Sequence, residues 1–141
     1  MPTSWDSIGF ELHVQSIFRG NGYEIIPNER QNEPGCDFIS QKNGKLYAVQ
    51  VKAWKKKVPA NTVGRFLEFC DEGNFERGII VSLNGFTEPS HALASSDGKN
   101  KLFLGEYDNE NNTIKFASTD PGVINSTQSQ PESVLEPIKI S

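Results

Sequence analysis

The sequence has no long apolar run, no export-type leader and little cysteine. No stretch of about 18 consecutive apolar residues occurs, which argues against a membrane-spanning helix. The N-terminal segment lacks a basic region followed by an apolar one, so we expect no secretory signal. Only two cysteines are present, Cys36 and Cys70, and they match no metal-binding spacing. We therefore expect a cytoplasmic protein with reduced thiols.

The sequence also lacks an excess of positive charge. Its formal net charge is −4, which argues against a protein that coats nucleic acid by charge alone. The distribution of charge is uneven, however. Lys52, Lys55, Lys56 and Lys57 fall within six residues, whereas the segment after Glu106 is acidic and polar. This lysine cluster can favour a phosphate backbone locally even though the chain as a whole is acidic.

No internal repeat is visible, and 141 residues fit one compact domain. Periodicity and turn signals predict the element order α-β-β-β-α-β-α-β, and NTIKFAS is expected to pair with KLFLGEY as a hairpin. A hairpin that leads through a helix into a buried strand predicts an α/β fold with a mixed sheet and helices on both faces. We assign residues 1–118 to this domain. Residues 119–141 are rich in Ser, Gln, Pro and Asn, and we expect a polar tail that is extended or disordered.

The first helix is predicted to begin at Ser4 or Asp6, either of which can cap it. Its apolar residues recur at roughly helical spacing and are expected to face the sheet. They are Ile8, Leu12, Val14, Ile17 and Phe18. Phe10, together with Leu12 and Val14, is also expected to bring this helix against the sheet.

A tight turn at Asn43 and Gly44 brings three polar residues together. Strands joined by this turn pair so that opposite residue numbers sum to about 87, which places Asp37 opposite Gln50. Side chains alternate between the two faces of a strand, so Gln50 and Lys52 share one face. We therefore expect Asp37, Gln50 and Lys52 to converge at one end of the sheet.

These three residue types suit metal-assisted hydrolysis of a phosphodiester bond. Carboxylate and amide oxygens are hard ligands that suit Mg²⁺. An adjacent lysine can hold and polarise an attacking water, or stabilise the charge that develops on the phosphoryl group. Because Gln50 is neutral, a second carboxylate should help, and Glu11 on the first helix is the best candidate.

These motifs occur in an order that resembles a nuclease family. FELHVQSIFRGNGYEI is followed by GCDFI, YAVQVKAW, a helix and GIIVSLNGFTEPSHALA. Roughly residues 5 to 95 thereby resemble the Mrr-like branch of the restriction-endonuclease-like nucleases, the PD-(D/E)xK superfamily, in which Gln replaces Glu before the lysine. The resemblance implies a three-layer α/β/α core with a mixed central sheet. It also implies a metal-dependent endonuclease of restriction or repair type that cleaves DNA and uses Mg²⁺, with Mn²⁺ as a substitute.

The resemblance also implies a role for each residue of the site. Asp37 would be a metal ligand, Gln50 a second ligand or its mimic, and Lys52 the catalytic lysine. Glu11 would be an auxiliary metal ligand. The sequence departs from the family in showing no separate DNA-reading domain.

Several interpretations remain open at this stage. The lysines at 55–57 are either a solvated strand end or contacts to phosphate, and Gln31, in the loop before Asp37, is a candidate contact to nucleic acid. Trp54 is expected to be packed and not stacked on a base. The chain is either a DNA nuclease or a catalytically silent module of the same fold that binds nucleic acid or a protein partner. The presence of Asp37, Gln50 and Lys52 together favours the enzyme. We also expect a homodimer, since two-fold symmetry matches duplex DNA.

Overall fold

The computed structural model describes residues 6–26, 35–73, 75–98 and 101–116, together with the backbone of 138–139. Three helices and seven strands occur in this part of the chain. They are α1 (Ser7–Gly20), β1 (Glu24–Ile26), β2 (Phe38–Lys42), β3 (Lys45–Lys52), α2 (Ala60–Gly73), β4 (Arg77–Ser82), α3 (Glu88–Ser95), β5 (Leu102–Asp108), β6 (Thr113–Phe116) and β7 (Ile138–Lys139). None of the helices in these ranges is long and apolar enough to cross a membrane.

The described strands form one mixed sheet in the order β1-β2-β3-β4-β5-β6-β7. Strands β3, β4 and β5 are parallel, and the other neighbours are antiparallel. The carboxyl ends of the parallel strands therefore meet at one edge of the sheet, where Lys52, Ser82 and Glu106 align. The predicted α/β class, the order of the elements and the final hairpin are confirmed.

The turn between β2 and β3 sets the register that the sequence predicts. Asn43 and Gly44 have φ values of 56° and 78°, the left-handed conformation that two-residue hairpin turns require. Phe38 lies opposite Val49 and Lys42 opposite Lys45, so the paired numbers sum to 87 as expected. The hairpin therefore directs the residue that precedes Phe38 towards the end of β3.

Two apolar clusters, one on each face of the sheet, hold the helices. Helix α1 packs Phe10, Val14 and Ile17 against one face. On the other face, α2 contributes Val63 and Phe66 to a cluster that also includes residues of α3. This arrangement is the three-layer α/β/α architecture that the resemblance implies.

The predicted buried face of α1 is partly wrong. Ile8 and Leu12 are 74% and 56% exposed, whereas Phe10 is fully buried. At 3.6 residues per turn, Ile8 and Leu12 lie on the side of the helix opposite Phe10, while Val14 is on the Phe10 side. Asp6 is the N-cap of the helix, and its carboxylate accepts a hydrogen bond of 2.6 Å from the Gly9 amide.

Strand β7 adds a short antiparallel pair to β6, with Ile138 opposite Ile114. Residues 117–137 lie outside the described part of the chain. The division into a domain of residues 1–118 and a polar tail of 119–141 therefore stays a prediction.

Candidate active site

Asp37 is held beside the end of β3 by two hydrogen bonds to that strand. Its backbone amide donates to the carbonyl of Val49 at 2.8 Å, one position out of the register that pairs Phe38 with Val49. Its side-chain Oδ2 accepts a hydrogen bond of 2.6 Å from the Val51 amide. This bond holds the Asp37 carboxylate beside Val51, the residue between Gln50 and Lys52 on β3.

Lys52 is positioned by its neighbours on the same strand end. The side-chain amide of Gln50 is oriented so that its nitrogen and its oxygen both have hydrogen-bond partners. Nε2 donates to the Gly35 carbonyl at 3.0 Å, and Oε1 accepts from Lys52 Nζ at 3.3 Å. Lys52 Nζ also lies 4.9 Å from the centroid of the Trp54 ring, close enough for a cation–π contact. A second ammonium group, Lys56 Nζ, lies 5.1 Å from that centroid. Trp54 is thus packed, as predicted, and it packs against the lysine of the site.

Glu11 approaches Asp37 from α1. The pKa of Glu11 is raised, first by burial and then by the negative charge of Asp37, while the Gln15 amide, 3.3 Å away, lowers it. Burial also raises the pKa of Asp37, and the Val51 amide and the Lys52 charge offset this only in part. The structure therefore brings Glu11, Asp37, Gln50 and Lys52 together.

This donor set has the chemistry that a hard divalent cation requires. It offers two carboxylates that repel each other and are partly desolvated, so a positive charge between them would relieve both effects. The amide oxygen of Gln50 is a further hard donor and has a second lone pair beside the one that faces Lys52. Among the described residues no three His, Cys, Asp or Glu side chains form a metal-binding group.

The raised pKa values predict how the metal-free protein responds to pH. The folded state holds the protons of Glu11 and Asp37 more tightly than the unfolded chain does. Their contribution to stability is therefore present below about pH 4 and is lost as the pH rises through the raised pKa values. Asp37→Asn should remove part of this loss, because asparagine can still accept from Val51 but carries no charge. Urea unfolding in EDTA between pH 4 and 8 measures the effect.

Asp108 provides a control of opposite sign. Its pKa is lowered to about 2, first by a hydrogen bond from the Asn111 side chain and then by Lys115. Asp108→Asn should therefore lower the stability near pH 7 relative to pH 4, the reverse of Asp37→Asn. If Asp37→Asn makes the stability fall more steeply with pH, the raised pKa of Asp37 is wrong.

A cleft of about 320 Å³ adjoins Gln50 and Lys52 on the side of α2. Two of its lining residues, Thr62 and Arg65, were not predicted from the sequence as site residues. They are three positions apart on α2, so they share one side of the helix, next to the buried Phe66. Their helical spacing, beside the apolar residues Val63, Phe66 and Leu67, is the sequence signal that could have identified them.

The predicted nucleic-acid contacts lie around this end of β3. Lys55, Lys56 and Lys57 are all exposed in the loop that follows the strand. The loop is tied to the segment after β4, where Asn84 Nδ2 donates to the Trp54 carbonyl. Gln31 lies outside the described residues, so its role stays a prediction.

A larger groove of about 680 Å³ lies over β5 and β6 and includes none of the candidate residues. Of its acidic side chains, Asp108 is already paired with Lys115 at 3.1 Å. Its size is therefore no argument for placing the chemistry there, because the convergent polar groups lie at the end of β3.

The mixed sheet with helices on both faces, and an acidic residue and a lysine at the end of its central hairpin, define a restriction-endonuclease-like nuclease fold. The Mrr_cat restriction endonuclease family model matches residues 3–107, and the chain belongs to this family.

A solved structure is similar in fold. It is the crystal structure of AF1548, a protein of unknown function, with a TM-score of 0.54 and 19% sequence identity. The match covers 70% of this chain and 57% of that one, so the chain spans a little over half the length of AF1548. No curated protein matches the chain.

Proposed function

We propose that this chain is a metal-dependent endonuclease that hydrolyses phosphodiester bonds in DNA. The observation that carries the proposal is the convergence of Glu11, Asp37, Gln50 and Lys52 in a member of the restriction endonuclease family. A module that only binds has no need for two mutually repelling carboxylates beside a lysine, because such groups cost stability.

Each residue of the site would have its own role in catalysis. Asp37, Glu11 and the Gln50 oxygen would hold Mg²⁺, with Mn²⁺ as a substitute, because all three are hard oxygen donors. The bound cation would supply Lewis-acid polarisation of the phosphoryl group and a more acidic water. The Lys52 ammonium, held by the Gln50 oxygen and the Trp54 ring, would orient the attacking water and stabilise negative charge on the phosphoryl oxygens.

The test is direct cleavage of four DNA forms: plasmid, linear duplex, single-stranded and branched. We expect product with Mg²⁺ or Mn²⁺ and none after addition of EDTA. The Lys52→Ala protein, purified in parallel, controls for contaminating nuclease. A folded parent protein that is inert on every form with both metals would favour the silent module, which binds nucleic acid or a protein partner without cutting.

We also propose that the active form is a homodimer that works in the cytoplasm. One site cuts one strand, and a two-fold dimer would match the pseudo-symmetry of the duplex. The exposed apolar pair Ile8 and Leu12 on α1 supports such a contact. Cys36 and Cys70 are buried thiols, which supports a reducing compartment.

Light scattering should give a dimer for the parent protein and a monomer for Ile8→Lys/Leu12→Lys. Leu46→Lys is the control. Leu46 is also an exposed apolar residue, at 40%, but it lies at the start of β3 and not on α1. A strictly monomeric parent, with and without DNA, would rule the dimer out.

The lysine loop is expected to contribute to DNA binding more than to the chemical step. Changing Lys55, Lys56 and Lys57 together to Ala should weaken binding and lower the salt slope, by up to about 0.9 for each phosphate that is no longer neutralised. The cleavage rate at saturating DNA should stay near that of the parent. A triple variant of exposed lysines elsewhere, Lys45, Lys101 and Lys115, removes the same charge and should leave the slope nearly unchanged. Equal effects of the two triple variants would show that only total charge matters.

A further inference from the structure

The cleft beside Lys52 is lined by positive charge for which the proposed metal chemistry gives no role. Seven residues line it: Gly35, Gln50, Lys52, Trp54, Thr62, Arg65 and Phe66. Two of them are cations, two carry neutral groups that form hydrogen bonds through an amide or a hydroxyl, and none is acidic. The carboxylates of Glu11 and Asp37 are absent from this lining. The cleft is therefore an electropositive compartment next to an acidic one, and Lys52 lies at the boundary.

Arg65 is the cation of the cleft that has no other partner in the described part of the chain. No carboxylate among the described residues forms an ion pair with it. Its side chain is exposed, while its helix is anchored by buried neighbours on both sides, Val63 and Phe66. No described carboxylate thus competes with a ligand for the guanidinium, and the backbone that carries it is held in place.

The shape and chemistry of the cleft fit a phosphodiester. A guanidinium presents paired N–H donors that match two phosphate oxygens. The Thr62 hydroxyl, one helical turn earlier and on the same side, adds a donor. The apolar wall formed by Phe66 and Trp54 suits a sugar and disfavours a free, fully hydrated ion. The volume of about 320 Å³ is at the lower end of the range for ligand pockets.

We propose that Arg65, assisted by Thr62, binds the DNA backbone phosphate next to the one that is cleaved. This inference rests on the proposed function and deepens it, because it names a second phosphate of the same substrate and the residues that bind it. Occupation of the cleft sets the register of the strand, so that the neighbouring phosphate lies between Lys52 and the carboxylates.

The first test is DNA binding in EDTA, where no cleavage occurs. Arg65→Ala should raise the dissociation constant about tenfold, as the removal of one charge-assisted hydrogen-bonding group does. It should also lower the salt slope by about 0.9. Arg65→Lys should recover the slope and only part of the affinity, since an ammonium cannot bind in a bidentate manner. Arg19→Ala removes the same charge from the far end of α1 and should bind like the parent.

The second test identifies the phosphate. Phosphates around the cleavage site are replaced one at a time by neutral methylphosphonates. The parent should lose affinity at one phosphate adjacent to the cleaved one, and Arg65→Ala should lose nothing further there. Additive losses at every phosphate, or an Arg65→Ala protein that binds and cuts like the parent, would overturn the inference and leave the nuclease intact. A parent that neither binds nor cuts DNA would overturn both. Equal binding of inorganic phosphate by the parent and by Arg65→Ala would show that anions bind elsewhere on the protein.

Discussion

Lys52→Ala is expected to abolish DNA cleavage, with a loss of at least about 10²–10³ in rate, while DNA and metal binding remain close to those of the parent. The loss is large because the ammonium acts on charge that develops only in the transition state. The measurement is the single-turnover cleavage rate at saturating DNA and Mg²⁺, after circular dichroism has shown that the variant is folded.

Lys55→Ala is the matched control, because it removes one lysine three residues away, in the exposed loop after the same strand. It should cut at nearly the parental rate. Lys52→Arg keeps the charge but changes its shape and should recover only a small part of the activity. If folded Lys52→Ala cuts as fast as the parent, the reaction takes place elsewhere on the protein.

Asp37→Ala should eliminate both cleavage and metal binding. Asp37 supplies ligand charge that the neutral Gln50 cannot, and its carboxylate is fixed by the Val51 amide in its place. Calorimetric titration with Mn²⁺ should show binding to the parent and none to the variant. In thermal unfolding, Mg²⁺ should raise the Tm of the parent by more than that of the variant, by a margin that grows with the logarithm of metal concentration.

Gln50→Glu is the informative companion to Asp37→Ala. It restores an anionic donor at the same position, so metal affinity should be preserved or increased. Asp71→Ala, on the exposed side of α2, is a control carboxylate that should leave titrations unchanged. Metal binding by folded Asp37→Ala that equals the parent's would remove Asp37 from the ligand set.

The central hairpin could be predicted from the sequence because its determinants are local. Asn43 and Gly44 fix the turn, and period-two alternation then fixes which residues share a face. These two facts predict Asp37 opposite Gln50, and in the structure Asp37 forms hydrogen bonds to the two neighbours of Gln50, the Val49 carbonyl and the Val51 amide. The helix over residues 60–73 could also be predicted from the sequence. Its buried residues recur at helical spacing, and they are Val63, Phe66, Leu67 and Cys70.

The remaining features depend on contacts between elements that are distant in sequence. Ile8 and Leu12 fit a helical apolar pattern as well as Phe10 does, and only the packing of α1 on the sheet decides which side is buried. The cation–π contact between Lys52 and Trp54 depends on the course of the chain after β3. Arg65 lines the same cleft as Lys52 only because α2 packs back against the sheet.

The loop that carries the three lysines is closed at both ends, by the Asn84 side-chain amide that donates to the Trp54 carbonyl and by the backbone of Val58. The Val58 amide donates to the Gly85 carbonyl at 3.0 Å, and the Val58 carbonyl accepts from the Thr87 amide at 3.1 Å and from the Ser90 hydroxyl at 2.7 Å. The Val58 amide should therefore exchange its proton with solvent at a rate close to that of the strands, although the lysines before it are fully hydrated. If this loop binds DNA as proposed, it loses little backbone entropy in the complex, and we expect Ser90, on helix α3, to affect how fast the complex forms and how long it lasts.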